Sequence, residues 1–306
     1  MYEVGWAEVH QWQPETGFLW LHLDRKDSRV IEWLKSDSGL EEAVWEELLA
    51  EEPYQNSSVV GDALLVLLRG VNLNPGADPD DMVTVRLWIE ARRVISLRGT
   101  PIRAAQDIYN QIRNYQEPGT PGDFLVAILT RLLDRLGLVL TEMEDQLDAL
   151  EEDLLDNVLN RDFRSTLRRL RRQSIALRRH IAPQQAVVKK LAYERVSWLT
   201  EDNRAELREL AEQTRRYVED LGAMRERIVV IDEELSALAN EQINRTIFIL
   251  SLVTVVFLPL SFITGLLGIN MGGIPGAESE AGFIAVCAFL GLIVAGEIFF
   301  FYHYLK

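Results

Sequence analysis

In the first part of the chain apolar and polar positions alternate one by one, which is the spacing of a half-buried β-strand. The clearest run is residues 83–90, where Val83, Val85, Leu87 and Ile89 are separated by polar or amphipathic residues. Residues 18–23, 63–68 and 94–97 are further strand candidates. Ser38 and Glu41 form a capping-box pattern ahead of a helix. A second helix is predicted by apolar residues that share one face: Ile102, Ala105, Ile108, Tyr109 and Ile112. We expect an α/β domain over residues 1–118.

A break of prolines and glycines at residues 118–122 separates this domain from a region with helical spacing throughout. We predict a helical hairpin over residues 119–199, with Asp123 capping a first helix at 123–156 and a second helix at 163–198. The first helix carries Glu142, Glu144, Asp145, Asp148, Glu151, Glu152 and Asp153. The second carries Arg164, Arg168, Arg169, Arg171, Arg172, Arg178 and Arg179. An antiparallel hairpin predicts that these blocks pair with each other, in preference to a nucleic-acid or lipid-headgroup surface.

A third helix is predicted to begin after Thr200, which can cap it. Its apolar residues are spaced by alternating threes and fours, with Thr214 in the one gap: Leu207, Leu210, Tyr217, Leu221, Met224, Ile228, Ile231, Leu235 and Leu238. This heptad seam predicts lengthwise packing against other helices. Continued to Leu267, the helix would be about 100 Å long. We interpret residues 200–245 as a stalk that enters a bilayer.

Two uncharged segments follow the stalk, and each is long enough to cross the hydrocarbon core. We predict transmembrane helices at 246–267 and 283–302, an outward-facing loop at 268–282 and a cytoplasmic tail at 303–306. The flanks hold Arg245 and Lys306, whereas the loop has no basic residue. By the positive-inside rule both termini are therefore expected in the cytoplasm of a cell whose inner membrane holds the hairpin.

Charge and cysteine content exclude several classes of protein. The formal net charge of −15 argues against nucleic acid as a partner and suits cations. Cys287 is the single cysteine, so the chain has neither an intrachain disulfide nor a multi-cysteine metal site. Residues 1–9 lack the pattern of a secretory signal. We find no nucleophile and base pair, phosphate loop or metal-ligand spacing, so an enzyme is not expected.

One face of the first predicted span collects most of its polar and small residues: Asn244, Ile247, Ser251, Thr254, Leu258, Ser261 and Gly265, followed by Gly268. Two interpretations are equally open, a pore lining or hydrogen bonding to a neighbouring helix. Two helices cannot enclose a pore, so the first interpretation requires a homo-oligomer. Pro259 removes one backbone hydrogen bond within the span and can kink it.

Acidic residues extend this picture on both sides of the membrane. The same helix face, followed back along the stalk, carries Glu212, Glu219, Glu226 and Glu233. Stacked in a symmetric bundle they would form a cytoplasmic vestibule that concentrates cations, although a solvated face is the more frequent meaning of such a stripe. Glu278 and Glu280 in the loop are candidates for attracting cations from outside. Glu297, inside the second span, is a candidate for proton coupling, with pairing to Lys306 as the alternative.

The residues around the end of the first span carry a family resemblance. Gly268-Ile269-Asn270, with Pro259, Ser261 and Gly265 ahead of it, resembles the signature of the CorA superfamily of divalent cation transporters. The Gly-Ile-Asn form, followed by Gly272-Gly273-Ile274-Pro275, is similar to the ZntB branch, which is associated with zinc. The magnesium members carry Gly-Met-Asn. The resemblance implies a homopentamer with a ring of Asn270 amides and Gly268 carbonyls at the outer mouth. Without that context, Asn270 would be interpreted as a turn-forming residue.

Taken together, these features predict an α+β membrane protein with an α/β domain, a helical hairpin, a stalk and a transmembrane hairpin. Its expected function is divalent cation transport, with zinc favoured, no cofactor beyond the cargo, and membrane lipid as a partner. A magnesium, cobalt or nickel channel is the alternative within this class. A membrane-tethered scaffold or sensor is the alternative from another class, and it has no need of a hydroxyl-lined face.

Overall fold

A computed structural model describes residues 5–51, 53–114, 118–156, 162–268, 279 and 281–304. The chain divides into two compact units, Met1–Asp232 and Glu233–Lys306. Because the long helix α7 (Glu201–Leu267) belongs to both units, the stalk and the apolar segment are described separately.

The first unit contains a five-stranded sheet of order β1-β5-β4-β3-β2. Its strands are β1 (Leu19–Asp24), β2 (Asn56–Val60), β3 (Ala63–Gly70), β4 (Val83–Ile89) and β5 (Arg93–Arg98). Strand β1 pairs parallel to β5, and every other neighbouring pair is antiparallel. The strand predicted at 83–90 and the strand candidates at 18–23, 63–68 and 94–97 are confirmed in position. Strand β2 was missed because Asn56-Ser57-Ser58 has no apolar alternation.

Helices cover both faces of the sheet. Helices α1 (Trp6–Gln11), α2 (Ser28–Ser36) and α3 (Glu42–Leu49) precede β2, with a 3-10 turn at Pro14–Thr16. One buried cluster joins α2 and α3 to Leu65, Leu67, Trp88 and Leu97 on one face. On the other face Leu64, Val66 and Leu68 are buried, and the helices at Pro121–Leu155 and Phe163–Leu191 contact β3. The half-buried character predicted for the strand at 83–90 is therefore wrong, since Arg86 and Trp88 are also buried.

Helices α4 (Arg103–Arg113), α5 (Pro121–Leu155) and α6 (Phe163–Leu191) follow the sheet. Helix α6 ends seven residues before its predicted end. Thr120, rather than Asp123, caps α5, and its hydroxyl accepts from the Asp123 amide at 3.2 Å. The capping box at Ser38 is also wrong, because its hydroxyl donates to Leu34 O at 2.6 Å and α3 has no side-chain cap.

The predicted pairing of the α5 acids with the α6 arginines is wrong for the part of the chain that the structure describes. Helices α5 and α6 contribute buried leucines such as Leu147 and Leu170, while the charged residues lie on their outer faces. Arg227 of α7 binds both Asp148 and Glu151, the latter at 2.7 Å. Arg172 of α6 instead approaches Asp78 at 3.3 Å. The acidic block of α5 therefore faces the stalk helix.

Helix α7 (Glu201–Leu267) spans the range predicted from its spacing. The Asn203 amide donates to the Thr200 hydroxyl at 3.1 Å, which confirms Thr200 as its cap. In the first unit the heptad seam is covered, since Leu207, Leu221, Ile228 and Ile231 are almost fully buried. The second unit holds the end of α7 and α8 (Gly282–Tyr304).

Candidate functional site

The second unit contains two helical segments that are long and apolar enough to cross a membrane, within Glu201–Leu267 and Gly282–Phe300. None of the residues in either apolar window is buried. The core helix of a soluble domain would be covered by its own chain. Phe257, Phe262, Leu292 and Phe299 instead expose more than half of their surface, so lipid or other copies of the chain must cover them.

The polar face predicted on α7 is exposed along its whole length. Its members are Asn244, Ile247, Ser251, Thr254, Leu258, Ser261 and Gly265, and a single chain covers none of them. The half-buried residues of this segment are Leu252, Val256, Pro259, Leu260 and Ile263. At 100° per residue these lie on roughly the opposite side of the helix. The polar face is therefore free to meet water or another copy.

The hydroxyl groups on this face differ in how they are satisfied. Thr254 Oγ1 donates to Leu250 O within the helix at 2.8 Å, which leaves its oxygen lone pairs directed away from the backbone. Ser251 and Ser261 have no side-chain hydrogen bond to any described residue. Thr264, which lies off the polar face, makes the same intrahelical bond as Thr254, to Leu260 O at 2.8 Å. Thr264 Oγ1 also lies within hydrogen-bond distance of Ser261 O, at 3.2 Å, so the two threonines share the bond to the carbonyl four residues earlier and differ mainly in position.

Gly268 directly follows α7, and its amide donates to Thr264 O at 3.0 Å and to Gly265 O at 3.2 Å. A Cβ at this position would lie 3.2 Å from Thr264 O, so glycine suits this close turn. Ile269 and Asn270, which complete the predicted selectivity loop, lie outside the described residues. Glu278 and Glu280 also lie outside them, and the predictions on these four residues stay predictions.

Glu297 lies on the half-buried face of α8, which it shares with Val286, Leu290, Ile293 and Val294. Its Oε2 atom is buried and has no hydrogen-bond partner among the described residues. No ion pair joins Glu297 to any described residue, so the alternative partner Lys306, outside the described residues, is not tested.

The four glutamates of the predicted vestibule are all exposed, three in the first unit and Glu233 in the second. Arg215 lies between two of them, with Nε 2.8 Å from Glu212 and Nη1 2.5 Å from Glu219. The hydrogen bond from Arg215 lowers the pKa of Glu212. Glu226 and Glu233 have no ion pair within the described ranges, so their charges are not matched locally.

An acidic groove between α5 and α7 was not anticipated from the sequence. It encloses about 440 Å³, and its acidic lining residues are Asp134, Glu144 and Asp220. Burial raises the pKa of Glu144, and Asp220 and Asp148 raise it further. The acids are 76 or more positions apart across the two helices, so only the packing brings them together. Among the described residues no group of three or more His, Cys, Asp or Glu side chains could hold a metal ion.

Comparison with known proteins places these features in a family. The family model described as "CorA-like Mg2+ transporter protein" matches residues 15–303. The divalent cation transporter CmaX of Pseudomonas aeruginosa is 42% identical over 274 residues, which are 89% of this chain and 82% of that protein. The zinc transport protein ZntB of Yersinia enterocolitica is 34% identical over 284 residues, 93% of this chain and 86% of that one.

Solved structures agree in fold. The full-length CmaX structure superposes with a TM-score of 0.80 at 40% identity and covers 93% of this chain and 87% of its own. The CorA magnesium transporter from Methanocaldococcus jannaschii has a TM-score of 0.80 at 20% identity, covering 92% and 89%. At that identity the second likeness concerns the fold alone.

Proposed function

Because the chain belongs to the family of CorA-like Mg²⁺ transporter proteins, we propose that it carries divalent cations across the inner (cytoplasmic) membrane through a pore formed by several copies, and is not an enzyme. The exposed polar face of α7 is the observation that supports this best. In a ring of chains that face would line the axis, and its hydroxyl and amide oxygens would face water. A membrane anchor that only tethers a scaffold gains nothing from such a face.

We propose a homopentamer, following the resemblance stated above, with both termini in the cytoplasm. The absence of Lys and Arg between Arg245 and Lys306 supports this orientation. At the outer mouth a ring of Asn270 amides and Gly268 carbonyls would accept hydrogen bonds from the water shell of the ion. Neutral dipoles hold a hydrated ion weakly enough that it can leave.

Zinc is the proposed cargo. The Gly268-Ile269-Asn270 sequence departs from the magnesium form, and relatives at 34% identity are named as zinc transport proteins. The relative at 42% identity is named only as a divalent cation transporter, so magnesium, cobalt and nickel are kept as alternative cargoes. A conduit does not need the tight nitrogen and sulfur cage of a structural zinc site.

We propose that Glu297 links transport to protons. Its place inside the second span supports this, because ionisable residues within membrane helices form proton relays. Glu297→Gln gives a neutral side chain of the same size. The variant should transport zinc without the dependence on a pH gradient that the proposal expects for the wild type. An unchanged pH dependence would remove Glu297 from the mechanism.

The test is ion flux into liposomes that contain the purified protein, with zinc, magnesium, cobalt and nickel compared with and without a pH gradient. Asn270→Ala should reduce zinc flux by at least tenfold. Wild-type protein that passes no divalent ion, or full flux through Asn270→Ala, would contradict the proposed pore.

A matched pair of threonine variants tests which face of α7 lines that pore. Thr254→Val should lower flux several-fold, because it replaces a hydroxyl on the polar face by a methyl group. Thr264→Val removes an equivalent intrahelical hydrogen bond from another side of the helix and should leave flux within about twofold. Equal losses in both variants would indicate a general effect on the helix rather than a pore lining.

A further inference from the structure

Arg86 is a charged residue in the middle of the sheet. It lies on β4, opposite Leu67 of β3 and Leu97 of β5, and only 2% of it is exposed. Those neighbours belong to the apolar cluster beneath α2 and α3. Arg86 forms no ion pair with a carboxylate of the described residues. A buried guanidinium without a counter-charge is costly, so other groups must offset its charge.

Part of that charge is met by the end of α3. Arg86 Nη2 donates to Ala50 O at 3.0 Å and to Glu51 O at 3.1 Å. Arg25, which follows β1, donates from Nη1 to Leu49 O at 3.2 Å. The carboxyl end of a helix carries partial negative charge, so two arginines suit this position. The carbonyls nevertheless use only one terminal nitrogen of each side chain.

The Nε atoms of Arg25 and Arg86 have no acceptor among the described residues, and both atoms are buried. An unmade hydrogen bond on a buried charged donor costs more than a typical bond contributes. Two such donors, on side chains that both bind the end of the same short helix, indicate that an acceptor belongs at this place.

The surroundings of these two donors are positive. Arg69 of β3 lies near enough that, after burial itself, Arg25 and Arg69 help to lower the pKa of Arg86 to about 10. Arg25 and Arg69 are half-buried, so each lies partly at the surface. Gly99 lies against Arg25, and a Cβ there would be 2.8 Å from Arg25 Nε. Glycine thus preserves the space beside one of the unpaired donors.

We propose that Arg25 and Arg86, with Arg69 at the rim, form a binding site for a small inorganic oxyanion, with phosphate as the ligand. The planar guanidinium group matches the spacing of two oxyanion oxygens, and hydrogen bonds between charged partners are the stronger kind. An anion at this position accepts the two Nε protons and balances the buried charge. It also ties the end of α3 to the sheet, so binding stabilises the first unit.

Equilibrium dialysis of phosphate against the purified full-length protein in detergent tests this site, with sodium chloride keeping the ionic strength constant. We expect saturable binding of one phosphate per chain and a rise in melting temperature. Arg25→Gln should weaken binding at least tenfold. Gly99→Ala should weaken it comparably while every charge stays in place, because the new Cβ displaces Arg25. Arg98→Gln is the control, since this half-buried arginine pairs with Asp24 at 3.9 Å, and the affinity of this variant for phosphate should stay within twofold of the wild type.

Several outcomes would overturn the site. The first is that wild-type protein binds no phosphate saturably. The second is that Arg25→Gln and Gly99→Ala both bind phosphate with wild-type affinity. The third is that chloride competes for the site as well as phosphate does. Glu52 follows the α3 carbonyls in sequence but lies outside the described residues. If phosphate binds only after Glu52→Gln, a carboxylate of the chain itself fills the position and the proposal is wrong. Arg86 is left intact in these variants because its substitution would remove the cap of α3.

Discussion

His22 lies on the edge strand β1, where its neighbours determine whether the imidazole is protonated. Its Nδ1 is 2.8 Å from Ser96 Oγ, which also accepts from Trp20 Nε1 at 2.8 Å. The ring stands 5.7 Å from that of Trp20. Burial of the ring lowers the pKa of His22 to about 4, Arg98 lowers it further, and Asp24 opposes the change. The folded chain therefore holds this imidazole neutral at pH values where an unfolded chain would protonate it.

The resulting prediction concerns stability against acid. Unfolded His22 binds a proton below about pH 6.5, whereas the folded form resists until about pH 4, so the free energy of unfolding falls as pH drops between these values. The full shift corresponds to about 3 kcal/mol. Because the residue is partly exposed, screening reduces our expectation to about 1 kcal/mol.

Denaturant unfolding of the purified chain at pH 4.5, 5.5 and 7 measures this effect. His22→Gln should flatten the pH dependence by about 1 kcal/mol. His10→Gln, on the exposed face of α1, should leave the wild-type slope. The slope that remains includes His180, whose pKa is also lowered, by burial and then by Arg69 and Arg179. An identical slope in His22→Gln and wild type would show that the ring is solvated.

At the scale of elements, the beginnings of α5 and α7 are joined at one point. Asn203 Nδ2 donates to Asp123 Oδ1 at 2.9 Å, and Asn203 also exchanges hydrogen bonds with Thr200. Gly122 lies directly beneath it, since a Cβ there would be 2.1 Å from Asn203 Oδ1 and 2.9 Å from its Cγ. The absence of a side chain at Gly122 is thus what allows Asn203 to reach both helices.

Gly122→Ala should therefore destabilise the protein, although alanine has the higher helix propensity. Displacing Asn203 breaks the cap of α7 and the bond to α5, and we expect a loss of about 1–3 kcal/mol. Gly222→Ala, in the interior of α7 with nothing within 4 Å of the new Cβ, is the matched control and should be neutral or stabilising. Thermal unfolding of both variants and of the wild type measures the difference. If Gly122→Ala were as stable as the wild type, Asn203 would adjust to the new side chain at no cost.

Elements whose apolar spacing repeats over many residues were predictable from the sequence. Features that depend on another part of the chain packing against an element were not. The seam of α7 repeats over several heptads, so its buried face and its bounds follow from spacing alone. Strand β4 shows the limit. Its alternation is real, but the polar positions are Arg86 and Trp88, which can be covered when a second layer of helices packs on them. The α5 acids likewise pair with Arg227, which is far along the chain.

The candidate site likewise has features that could be predicted from the sequence and features that could not. The polar face of α7 could be predicted because it lies on one helix and follows one period. The hydrogen bonds that Glu297 lacks, and the ion pairs that Arg215 makes with Glu212 and Glu219, depend on side-chain positions that spacing does not define. Arg215 changes the expectation for the vestibule, because its single positive charge is shared by two of the four glutamates and leaves one negative charge unbalanced.

At the scale of the whole molecule, the proposed ring of chains would bring the stalk glutamates of several chains close together, so that they act jointly on cations. Five unmatched carboxylates at one level would raise the local concentration of cations near the pore, and salt would weaken this effect. Glu226 and Glu233 have no ion pair among the described residues, whereas Glu212 is held by Arg215. Glu226 and Glu233 should therefore contribute most.

The double variant Glu226→Gln, Glu233→Gln should lower zinc uptake into liposomes several-fold at about 20 mM salt and much less at about 500 mM, where the Debye length is below 5 Å. Glu226→Asp, Glu233→Asp is the control, because it keeps both negative charges, and its uptake should stay close to that of the wild type. A loss of uptake that does not depend on salt would point to direct ligation of the ion by these carboxylates. No loss at low salt would mean that the stripe is a solvated face outside the conduction path.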